Sequence, residues 1–139
     1  MTDRKKLLWW GTLVVGTHFI AVIWHVVLLV KAQPDFARLA ILLLVLINLL
    51  PLAALVAFAK RFSKIAGAVI IIPLGIALFI GGYTHFLSAG PDNVLRMPPS
   101  PLTLPLQISS VLLALLEAFG CGVGFRMAAW SVGNRVSSH

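Results

Sequence analysis

Four side chains able to carry a proton or hold a metal sit inside the most apolar stretches of this chain. They are His18 and His25 in the run THFIAVIWH, His85 in YTHFL, and Glu117 in LLEAFG. His18 and His25 are seven residues apart, which on a helix leaves them within about 20° of one face but about 10 Å apart along the axis. One metal ion cannot bind both, so each needs a partner from another segment. At about 1.5 Å of rise per residue, His85 falls near the depth of His25. That pair could give two axial ligands to the iron of a haem b. His18 falls instead at the level of Asn48 and Glu117. A carboxylate at such depth costs roughly 3 kcal/mol on insertion scales. Glu117 therefore reads either as a proton-carrying or ligand-binding acid, or as an interhelical hydrogen-bond clasp with His18 or Asn48.

Gln107, Ser109 and Ser110 add an amide and two hydroxyls at the level of His25. A serine, a histidine and Glu117 would make only a loose triad, because Glu117 lies about 10 Å deeper than the serines. Cys121, between two glycines, reads as a small packing residue rather than a nucleophile. As the chain's single cysteine it excludes an internal disulfide. The sequence holds no nucleotide loop, no acidic metal cluster and no Cys/His zinc spacing. His139 stands at the end of the polar tail and carries no function in this reading.

The elements that must position these residues follow from composition. Of 139 residues, 60% are hydrophobic and 11% charged, against about a quarter charged in soluble domains. A soluble fold of this size cannot hide that much apolar surface, so the natural solvent is a lipid bilayer. Four apolar segments, about 7–30, 39–59, 65–88 and 104–125, each supply the roughly 20 residues that a helix needs to cross a hydrocarbon core. They are too long and too uniformly apolar for barrel strands. The expected fold is an all-α integral membrane protein, one domain over 1–139, with four transmembrane helices in an up-down-up-down antiparallel bundle.

The net charge of +7 does not build a basic face for nucleic acid; the cations cluster between apolar runs. Arg4, Lys5, Lys6, Lys60, Arg61, Lys64, Arg126 and Arg135 flank one side of the expected bundle, against Lys31, Arg38 and Arg96 on the other. This asymmetry predicts that both termini are cytoplasmic, in a plasma (bacterial inner) membrane. The first apolar run is longer than the 7–15 residues usual for a signal peptide and carries two histidines, which argues against cleavage. Between the third and fourth segments, the five prolines and the GPDN cluster of Ser88 to Pro105 predict an outer loop, placed at 89–103.

In lipid, small and polar residues mark the helix face that meets other helices. In the fourth segment Gln107, Ser110, Ala114, Glu117, Cys121 and Gly124 share one face. The third segment shows a weaker stripe of Ala68, Ile71, Gly75, Leu78, Gly82 and His85, and the first shows Gly11, Val14, His18, Ala21 and His25. Gly75, Gly82, Gly120 and Gly124 are expected at helix contacts. Pro51 and Pro73 each remove a backbone hydrogen bond from their helices. The functional expectation is a protein that works by binding or association rather than turnover, within a homo-oligomer or larger membrane complex. Its outward-facing pocket would be lined by His18, His25, Asn48, His85, Gln107, Ser110 and Glu117. The alternatives are a haem b electron-transfer subunit ligated by His25 and His85, and a proton-coupled small transporter using Glu117 and His18.

Overall fold

The computed structural model describes residues 2–32, 37–60, 63–89 and 93–136, with side chains outside that description at 37–41, 43–48, 63, 64 and 131–136. Among the described residues the chain forms four long helices and no strand: α1 (Asp3–Ala32), α2 (Ala37–Ala59), α3 (Ser63–Gly82) and α4 (Thr103–Val136). A single π-helical turn, Tyr83–Leu87, continues α3 where the sequence predicts one uninterrupted helix. Three helical stretches, Asp3–Ala32, Ile65–Leu87 and Thr103–Trp130, are long and apolar enough to cross a membrane. Large apolar side chains point away from the bundle: Phe79 is 79% exposed, Leu87 73% and Ile20 70%. In water a surface of this kind would be an aggregation hazard; facing lipid tails it costs nothing.

The helices meet through layers that alternate along α1. Val14 and Val15 join Leu55, Phe58, Ile70, Leu74, Val123 and Met127 in an apolar cluster near the Arg4 end. His18 follows, then an apolar layer of Ala21, Val22 and Leu113. His25 comes next, and Leu28 and Leu29 then pack with Val94 and Leu106 at the Lys31 end. The α1 stripe read from the sequence lies within the buried face, since Gly11, Val14, His18, Ala21 and His25 are all buried, together with Val15, Val22, Leu28 and Leu29 beside them. In α3 the buried face is rotated from the expected one. Ala66, Gly67, Ile70, Leu74 and Ala77 are buried, whereas Ile71, Gly75, Leu78 and Gly82 are partly exposed and Ala68 is exposed.

Glycine sets the closest approach of α3 to α4. A Cβ on Gly67 would stand 2.7 Å from the Gly124 carbonyl oxygen, and one on Gly124 would stand 3.1 Å from the Gly67 oxygen. The two backbones are therefore in contact, which only glycine permits. Gly120 meets only side chains, those of Leu74 and Val14. Gly75 meets only the Cys121 sulfur at 3.9 Å and Gly82 meets nothing within 4 Å, so neither is held to glycine by packing. Between α1 and α2, at the same end of the bundle, the Arg4 guanidinium donates to the carbonyl oxygens of Phe58 and Ala59. It thereby satisfies two of the carbonyls left unpaired where α2 ends.

Candidate functional site

Two polar layers lie inside the bundle, both built between α1 and α4. In the first, His18 Nε2 stands 3.4 Å from Glu117 Oε1, and both residues are buried. This joins the two residues that depth assigns to one level. Asn48, the third member of the expected group, has its side chain outside the described residues.

In the second layer, His25 Nδ1 lies 2.9 Å from Ser109 Oγ. Ser109 also donates to the Leu106 carbonyl at 3.0 Å, as Ser110 does at 2.8 Å. The ring of His85, from the π-helical turn, meets His25 edge to face with centroids 5.0 Å apart. His25 Nε2 is buried and has no hydrogen-bond partner among the described residues. The expected proximity of His25 and His85 is thus present. Ser109, one position off the stripe read from the sequence, contacts His25, while Ser110 turns back on its own helix.

The ring spacing bears on the haem expectation. Metal–nitrogen bonds of about 2.0–2.1 Å put two imidazoles on opposite sides of one iron with centroids about 6 Å apart. The observed 5.0 Å is too short for that arrangement, so the pair as placed does not fit axial haem ligation. Among the described residues no group of three or more His, Cys, Asp or Glu converges on a common centre.

The loop after the π-helical turn folds over this layer. Val94 N–H donates to the His85 carbonyl at 3.0 Å. Gln107 Nε2 donates to the Val94 carbonyl at 2.9 Å, so this predicted pocket residue serves as a strut between loop and helix. Asn93, buried, donates through Nδ2 to the Ser88 carbonyl at 2.6 Å and accepts from Leu95 N–H at 2.9 Å. The second bond is an Asx turn, and the GPDN cluster was its signal in the sequence.

Outside this loop, at the Lys31 end of the bundle, opens a cleft of about 630 Å³. Its walls include Lys31 from α1, Arg96, Met97 and Ser100 from the loop, and Thr103 and Leu106 at the start of α4. Leu106 joins cleft and polar layer, because it lines the one and its carbonyl accepts from Ser109 and Ser110 in the other. Of the residues expected to line a pocket, none lines this cleft. The cations that do were read from sequence only as markers of orientation, since 65 positions of chain separate them and only the folded loop brings them together. No family model matches the chain, and neither a curated protein nor a solved structure matches it.

Proposed function

We propose that this chain is a small polytopic membrane protein that works by binding a ligand at the Lys31 end of its helical bundle. In this reading α2 is a fourth span and the helices run up-down-up-down as one membrane domain. Both termini are cytoplasmic, and the membrane is the bacterial inner membrane. The cleft then opens to the outside. The small size of one bundle favours a place in a homo-oligomer or a larger membrane complex.

The observation that carries the reading is the cleft itself. Its volume of about 630 Å³ falls inside the range of about 300–1,000 Å³ typical of ligand sites. Its two cations suit an anionic head, and Met97 and Leu106 suit an apolar tail. A fluorescent anionic lysophospholipid is therefore a fitting probe. At about 1 kcal/mol per cation near a membrane surface, replacing both Lys31 and Arg96 by glutamine should weaken binding by about tenfold to thirtyfold. Binding of the zwitterionic analogue should be unchanged. Equal loss for both probes, or no loss for either, refutes the assignment.

One observation favours a second reading: the buried contact between His18 and Glu117 is what a proton-coupled transporter would need at mid-membrane. Glu117→Gln would then abolish pH-dependent flux in liposomes while the bundle stays folded. Unchanged flux would make Glu117 a structural clasp.

A further inference from the structure

We infer that His25 and His85 form a two-histidine site for a single transition-metal ion outside any haem, of the zinc or copper kind. This goes beyond the cleft reading and does not depend on it. The first observation is the unpartnered Nε2 of His25, a ring nitrogen on a residue only 5% exposed. A buried polar atom without a partner costs roughly 1–3 kcal/mol, and a metal bond would remove that cost.

The second observation is the other side of the same ring. A metal-bound imidazole keeps its proton on the nitrogen that does not bind metal, and donates it to a neighbouring oxygen that fixes the ring. Ser109 Oγ stands 2.9 Å from His25 Nδ1 and can accept that proton, because its own hydroxyl proton reaches the Leu106 carbonyl at 3.0 Å. The polar groups around His25 are thus arranged as a metal-ligating histidine requires, with Nδ1 held and Nε2 left over.

The third observation is the spacing of the two rings. Two imidazoles bound at a tetrahedral angle, with metal–nitrogen bonds of about 2.0–2.1 Å, have centroids about 5 Å apart. The observed separation is 5.0 Å. His85 reaches this distance from the π-helical turn Tyr83–Leu87, and such turns are frequent at functional sites. The turn is pinned by the Val94 N–H on the His85 carbonyl. Imidazole suits zinc and copper. With two protein donors among the described residues, two tetrahedral positions remain for water or an exogenous ligand, as in sites that bind or act rather than merely stabilise.

The test uses the full chain purified in mild detergent with an affinity tag free of histidine, stripped of metal, then titrated with Zn²⁺ and separately with Co²⁺. One equivalent of Zn²⁺ should bind, and Co²⁺ should show the intense visible bands of a tetrahedral site. His25→Ala and His85→Ala should each abolish both signals. Ser109→Ala should weaken Zn²⁺ binding by about tenfold to a hundredfold, and His139→Ala should leave it intact. If His25→Ala does not fold, His85→Gln decides, since His85 is only partly buried. Absence of stoichiometric binding overturns the site, as does binding that survives in the folded His85 variant or is lost in His139→Ala.

Discussion

Replacing Gly67 by alanine tests whether α3 and α4 are held by backbone contact. The added methyl would stand 2.7 Å from both the Gly124 carbonyl oxygen and the Ala128 Cβ, and 2.8 Å from the Ala128 nitrogen. None of these is the end of a flexible side chain that could swing aside. Ordinary contact begins at 3.4 Å, so the two helices must part locally by about 0.7 Å. A gap of that size forfeits between a quarter and a half of each dispersion contact it opens. Overpacking of this sort costs about 1–3 kcal/mol, while the gain in helix propensity from glycine to alanine returns at most about 1 kcal/mol. The net expectation is a loss of about 1–2 kcal/mol. Gly16→Ala is the control, because nothing lies within 4 Å of its new methyl and only the propensity gain remains. The assay is reversible unfolding in mixed micelles of rising SDS fraction, followed by tryptophan fluorescence. Gly67→Ala should unfold at lower SDS than wild type, and Gly16→Ala at equal or higher SDS. If the two variants unfold together, the backbone contact does not hold the bundle.

Two further outcomes follow from the polar contacts. In a double-mutant cycle with His18→Leu and Glu117→Leu, the 3.4 Å contact should give a coupling of roughly 0.6–1.7 kcal/mol, the range for polar pairs between membrane helices; zero coupling would show that the two side chains are neighbours without being partners. Asn93→Ala removes two hydrogen bonds that hold the loop, each worth about 1 kcal/mol. Limited proteolysis should therefore cut between Ser88 and Leu102 several times faster at an unchanged global unfolding midpoint, and an unchanged cutting rate would mean that Gln107 and the Val94–His85 bond hold the loop alone.

Which contacts were legible in the sequence depends on what lipid demands of each side chain. The depth of His18 pointed to Glu117, and that of His25 to His85, because a polar group in hydrocarbon must be answered from another helix at its own level. Both contacts are present. On α1 the centre of the buried face could be read for the same reason, since its histidines stand in register with Gly11 and Ala21. α3 offers no such marker inside the span. Its residues are apolar on every side, and lipid tails are as apolar as a neighbouring helix, so polarity cannot separate the two faces. There the choice is made by volume, through the backbone contact of Gly67 with Gly124, and a glycine's packing partner is not written beside it. Ser109 and Ser110 differ by one step of about 100° around α4, and only the rotation of α4 against α1 decides which one meets His25. The cleft was hidden for a third reason: Lys31 and Arg96 converge through the turn that Asn93 closes, and the shape of a loop rests on bonds between its own residues rather than on any period in the sequence. Membrane sequence therefore exposes polar partners inside the spans first and apolar faces only where polar residues mark them. A binding cleft assembled by a loop emerges last, which is why Lys31 and Arg96 read as orientation signals until the fold set them around one cleft.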